Sequence, residues 1–152
     1  MADKTTFKNV ALARVKSAKI LIDNQDWQGA TYLMGLALEC ALKATICKTL
    51  RIAKYPESHH DKKIPDFFMT HSFERLLLLS GLSDIFNVEK IDDGVYDSWS
   101  AFTVQYPGEW TAMRYADPQV SRLNKPITKQ LFACLYENEK SIINIITLQN
   151  RW

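Results

Sequence analysis

GLALECALKATI, residues 35–46, is apolar around nearly the whole circumference of a helix, yet it holds one acid and one base, Glu39 and Lys43, four residues apart. Stepped at about 100° per residue, the apolar positions between Trp27 and about Ala53 leave one narrow notch, which this pair fills. A helix that is apolar nearly all round belongs at the centre of its fold. Two readings of the pair follow. In the simpler one it is an i,i+4 ion pair worth about 0.2–0.5 kcal/mol, with Glu N-terminal to Lys, the favourable orientation. In the sharper one the notch opens on a groove, because a charge deep in a fold must be paired or face a cavity. Arg114, Tyr115 or His71 would then join it, fixing helix register or meeting a ligand.

The rest of the chain repeats the helical period, and no segment alternates long enough for a strand. A first helix is expected from Thr6 to about Ile22, with Phe7, Val10, Ala11, Ala18, Leu21 and Ile22 inward. Asp26 caps the apolar helix that follows. Gly29 and Gly35 cost that helix about 1 kcal/mol each relative to Ala, which close approach of a neighbouring helix would offset. Residues 54–70, with two prolines and mixed charge, read as a loop. Thr70 is expected to cap a short helix from His71 to Ser80 that Gly81 ends, burying Phe73, Leu76, Leu77 and Leu79. A helix from Ile91 or Asp92 to Gln105 carries Val95, Trp99 and Phe102. Glu109 to Pro118 reads as irregular or a single turn. One last helix runs from Pro126 almost to Trp152, with Leu131, Cys134, Leu135, Ile142, Ile145 and Ile146 inward. The expectation is an all-α single domain over 1–152, an antiparallel up-and-down four-helix bundle with additional short helices.

Composition narrows the function classes. The 152 residues carry a net charge of only +2, and the basic clusters at Lys48–Lys54 and Lys62–Lys63 are interrupted, so no dense polyanion-binding stripe exists. The longest apolar run, Tyr32 to Leu38, falls well below the roughly 20 residues that cross a bilayer, and no leader pattern opens the chain. A soluble, cytoplasmic protein without a membrane partner is expected. Cys40, Cys47 and Cys134 are odd in number and lack ligand spacing, so they read as buried reduced thiols. His59-His60-Asp61 offers adjacent ligands without a third cluster, a poor metal site. No metal and no cofactor is expected. The four tryptophans read as core or interface anchors, Trp152 as a possible dimer contact.

Four fragments in order resemble the HEPN domain family: GLALECALKATI at 35–46; HSFERLL at 71–77 with Gly81-Leu82; Trp99 and Trp110 leading to Arg114-Tyr115; and a long amphipathic closing helix. The resemblance spans roughly residues 28–148. It implies a commonly dimeric helical bundle working in nucleotide or RNA biology, as ribonuclease toxin, defence component or non-catalytic partner of a nucleotidyltransferase. Catalytic members carry Arg followed by His after four to six residues. Here Arg114 has no downstream His, and Arg51 precedes His59 and His60 by seven and eight intervening residues.

The leading expectation is therefore a non-catalytic HEPN-like homodimer, in a toxin–antitoxin or defence setting, that binds a nucleotide, RNA or a nucleotidyltransferase partner. Its groove would comprise Glu39, Lys43, His71, Trp110, Arg114 and Tyr115. Lys43 and Arg114 would meet phosphate, Tyr115 or Trp110 would stack on a base, and Glu39 would hold the two cations. In the purely structural version Arg114 pairs with Glu39 and Tyr115 plugs the core. His71, placed in the first turn of its helix, reads as neutral and without an acidic orienter. The rivals are a metal-independent ribonuclease toxin using Arg51 with His59 or His60, and an interaction module without a ligand.

Overall fold

The computed structural model describes residues 2–56, 66–86 and 95–152. Seven α-helices form among them: α1 (Lys4–Asp23), α2 (Trp27–Thr49), α3 (Phe73–Ser80), α4 (Ser83–Phe86), α5 (Val95–Thr103), α6 (Lys125–Phe132) and α7 (Ile142–Leu148). The described residues contain no strand, so the all-α class expected from periodicity is the one adopted.

Side chains at the boundaries decide where the helices begin. The Asp3 carboxylate accepts from the Thr6 N–H at 2.7 Å and starts α1 two residues earlier than expected. Asp26 accepts from the Gly29 N–H at 2.8 Å and starts α2. Each cap satisfies one of the orphan donors of a first turn, worth about 1 kcal/mol. A three-residue turn then folds α1 back along α2. α2 stops at Thr49, short of the expected Ala53. Leu50 caps it and Arg51 turns into positive φ, 55°, which ends helical propagation.

α2 is the axis of the molecule and touches α1, α3, α6, α7 and the 3₁₀ segment Trp110–Tyr115. Met34, Leu38, Leu42 and Ile46 are fully buried along it, against Leu76 and Leu77 of α3, Leu131 of α6 and Ile142 and Ile146 of α7. Each such side chain contributes about 1.5–3 kcal/mol of transfer free energy. From α1, Phe7, Ala11, Val15, Ala18 and Ile22 are buried, whereas Val10 and Leu21 are only partly covered. Trp99 and Phe102 of α5 are buried as expected. Its expected start at residue 91 or 92 lies outside the described residues.

Two further boundaries differ from expectation. α3 is capped by Ser72, whose hydroxyl accepts from the Arg75 N–H, not by Thr70. Thr70 instead accepts from the Ser72 N–H at 3.0 Å. His71 therefore stands outside the helix, before its cap. The closing helix is not one rod: α6 passes into a π-helical turn over Ala133–Glu137, the chain extends at Asn138, and Ser141 caps a new helix. Tyr136-Glu137-Asn138-Glu139-Lys140-Ser141 has no apolar residue to hold the turn against the core beyond its exposed Tyr136. Asn and Ser in it favour caps over helix interior. Trp152 is buried within its own chain, under the Lys8 ammonium and donating to the Thr147 hydroxyl at 3.2 Å. Cys40, Cys47 and Cys134 are buried, and burial pushes the Cys134 thiol pKa up.

A buried carboxylate with three donors: the candidate functional site

Glu39 is 4% exposed and Lys43 8%. Lys43 Nζ lies 2.9 Å from Glu39 Oε1, so the acid and base of α2 do pair. Two further donors converge from distant parts of the chain. Trp110 Nε1 donates to Glu39 Oε2 at 2.6 Å, and His71 Nδ1 lies 3.0 Å from the same oxygen. One buried carboxylate thus receives an ammonium, an indole and an imidazole, which offsets the cost of taking it out of water. Because a carboxylate only accepts, Nδ1 of His71 carries the proton in this bond. The ring is held by its orientation to Glu39, with Nε2 as its other polar atom. Glu39 is thus the acidic orienter that the sequence did not reveal for His71.

Gly35 makes the indole contact possible. A Cβ there would lie 2.7 Å from Trp110 Cε3 and 3.1 Å from a Tyr106 ring atom. The close approach expected at Gly35 is real, but it comes from aromatic rings and not from a neighbouring helix backbone. At Gly29 the atoms nearest to an added Cβ belong to the capping carboxylate of Asp26. Trp110 also stacks on Phe73, with ring centroids 6.1 Å apart and planes 2° from parallel. It is enclosed on both sides and hydrogen-bonded, so its face is not open to stack on a base.

Lys43 has aromatic company: the Tyr55 ring centroid is 4.9 Å from Nζ and that of Phe7 is 5.7 Å away. Tyr55 is itself fixed, donating its hydroxyl to the Phe68 carbonyl at 2.9 Å. Lys43, Tyr55, Phe68, Thr70 and His71 line a cleft of about 210 Å³. The His71 side chain is half-exposed, at 53%, at its edge. Tyr55 and Phe68 were not among the expected site residues. Both fall in the segment that reads as a loop, and only their aromatic character distinguishes them there.

Arg114 does not join this cluster. Its Nε and Nη2 donate to the Tyr32 hydroxyl at 3.3 and 3.0 Å on the outer surface, and its guanidinium sits 5.7 Å from the Tyr32 ring centroid. The bond to Tyr32, followed by one to Tyr115, holds its pKa above the ordinary value for a guanidinium. Tyr115 is 84% exposed and plugs nothing. The expected six-residue groove thus divides: Glu39, Lys43, His71 and Trp110 meet, while Arg114 and Tyr115 stand apart on the surface. Arg51 lines a separate open cleft with Asp3, Lys4 and Lys48, and His59 and His60 lie outside the described residues. Among the described residues, no group of three or more His, Cys, Asp or Glu could hold a metal ion. One helix, Trp27–Thr49, is long and apolar enough by composition to cross a membrane, but most of it is buried inside the protein. Compared with known protein families, curated proteins and solved structures, the chain shows no significant match.

Proposed function

We propose that the chain is a HEPN-like module that binds the phosphate of a nucleotide or RNA in the cleft between Lys43 and His71, without catalysis. The observation that carries this reading is the Lys43 ammonium lining the cleft, pre-positioned by Glu39 and faced by the Tyr55 ring. A cation held in place before the ligand arrives spares the ordering cost that a flexible lysine incurs on binding. The groove drawn from sequence contracts to a smaller cleft, and Arg114 and Tyr115 leave the proposed site. Titration of AMP, ATP and a short RNA by calorimetry tests this. Saturable binding weakened in His71→Ala and unchanged in Arg114→Ala is expected, and no binding to the wild-type chain would remove the reading. The homodimer and the nucleotidyltransferase partner implied by the HEPN resemblance belong to the same proposal. Light scattering that returns the monomer mass at high concentration would strike out the homodimer.

One observation favours a second reading. The Glu39–His71 contact orients His71 as general bases are oriented, at 3.0 Å. In RNA, a 2′-hydroxyl would pass its proton to Nε2 while its oxygen bonds to the adjacent phosphorus. The P–O5′ bond then breaks, and the departing oxygen takes a proton from water. This moves the ribonuclease alternative from Arg51, His59 and His60 to His71. RNA cleavage in EDTA that disappears in His71→Ala would make the second reading the better one.

A further inference from the structure

We infer that the Lys43–His71 cleft takes a terminal phosphomonoester, at the end of a nucleotide or oligonucleotide, and excludes an internal phosphodiester; this rests on the phosphate-binding reading above. The first ground is size. At about 210 Å³ the cleft is smaller than the roughly 300–1,000 Å³ of pockets that enclose a whole small ligand, so it accepts one end group and not a complete nucleotide. An internal diester has bulky substituents on two sides and reaches the cleft only broadside. A monoester has one and enters end-on.

The second ground is access. Only a tenth of the Lys43 side chain is exposed, so a phosphate resting on the outer surface does not touch the ammonium, whereas a group inserted into the cleft does. Tyr55 gives its hydroxyl to the Phe68 carbonyl and so offers its ring to the cleft. Lys43, Thr70 and His71 are the polar side chains that line the cleft.

The experiment uses the full chain and three otherwise identical RNA hexamers bearing a 5′-phosphate, a 3′-phosphate or only hydroxyl ends. Inorganic phosphate serves as competitor, and binding is read by fluorescence anisotropy. A phosphate-ended hexamer is expected to bind at least about ten-fold tighter than the hydroxyl-ended one, with inorganic phosphate erasing the difference. Lys43→Met is expected to abolish the preference and His71→Gln to reduce it several-fold. His71→Gln, at a half-exposed position, carries the test if Lys43→Met does not fold. Equal affinity for all three hexamers overturns the end-group inference while leaving nucleic-acid binding in place. A preference that survives in His71→Gln and in a folded Lys43→Met puts the end group elsewhere and also overturns it. Absence of binding to every hexamer removes the phosphate-binding reading itself.

Discussion

Trp110 and Arg114 lie four residues apart in the same short 3₁₀ segment, and they have opposite fates. Trp110 is buried, donates to a buried carboxylate and closes one side of the Glu39 cluster. Arg114 lies on the outside and spends two donors on a tyrosine hydroxyl. The difference is geometric. At 3.0 residues per turn, positions i and i+4 lie about 120° apart, whereas an α-helix would bring them within about 40°. Met113, three residues on from Trp110, takes the inward position and packs on the core. In the inner region, the Glu39 carboxylate and two of its three partners, the Lys43 ammonium and the Trp110 indole, are desolvated, and only His71 is half-exposed. In the outer region, water replaces any bond that is lost. Equal numbers of hydrogen bonds therefore carry unequal weight.

The largest expected effect tests the inner region. Glu39→Ala leaves the Lys43 ammonium without its carboxylate and the Trp110 N–H without an acceptor. Removing one partner of a buried pair costs about 3–5 kcal/mol, so a drop in Tm of roughly 6–20 °C is expected for a chain of this length. Urea unfolding monitored by circular dichroism measures it. A loss below about 1 kcal/mol would mean that water reaches the carboxylate freely, and the contrast between the two regions would collapse.

Gly35→Ala probes the fit of the same region from the helix side. In an ordinary helix interior this change stabilises by about 1 kcal/mol. Here the added Cβ would lie 2.7 Å from the Trp110 ring, and that ring cannot move without loosening its bond to Glu39. A net destabilisation of about 1–3 kcal/mol is expected from the overpacking. A stabilised variant would show that Trp110 is not held where the hydrogen bond places it.

How far the sequence disclosed this site depends on whether the information was local. Glu39 and Lys43 share a helix face by spacing alone, and so their pairing was legible. His71 is legible as one of three candidates to join the Glu39–Lys43 pair, and it does reach Glu39, but nothing in the spacing singles it out over Arg114 or Tyr115, and it stands outside its helix because Ser72 outcompetes Thr70 as the cap. Arg114 reads as a partner for the carboxylate because opposite charges invite pairing. Which of two nearby donors arrives depends on the turn type, and EWTAMRYADP carries no periodic signal that separates a 3₁₀ segment from a loop. The all-α class was readable because many residues repeat the helical period. The break after Phe132 was not, because apolar residues resume beyond it in a similar register. The cap at Ser141 and the polar run before it were the signals that could have found it.

A third prediction concerns Tyr106, buried beside Gly35 and donating its hydroxyl to the Thr31 carbonyl at 2.8 Å. Burial raises its pKa well above the ordinary 10.0. The folded chain therefore keeps this proton where the unfolded chain releases it. No stability is lost to the group below its unfolded pKa, and stability falls as pH rises beyond 10.0. Cys134, raised from 9.0 by burial, adds a decline of the same sign that begins earlier. Tyr106→Phe is expected to cost about 1 kcal/mol near neutrality through the lost hydrogen bond, and to flatten the part of the decline above pH 10.0. Urea midpoints across that range decide it. An unchanged slope in the variant would assign the alkaline loss to other groups.

The smallest expected effect belongs to the outer region and tests the other half of the contrast. Arg114→Ala removes two hydrogen bonds and a cation–π contact with Tyr32, all at an exposed site. Exposed cation–π contacts are worth about 0.5–1 kcal/mol, and water takes over the lost hydrogen bonds. A change under about 1 kcal/mol is expected, several-fold less than for Glu39→Ala even though Glu39 and Arg114 each anchor residues distant in sequence. Combining the two substitutions sharpens the test. With no partner shared between them, their costs should add within about 0.5 kcal/mol. A larger coupling energy would mean that the Arg114–Tyr32 pair holds Trp110 against Glu39 through the 5.3 Å contact between the Tyr32 and Trp110 rings, so that the outer region sets the geometry of the inner one.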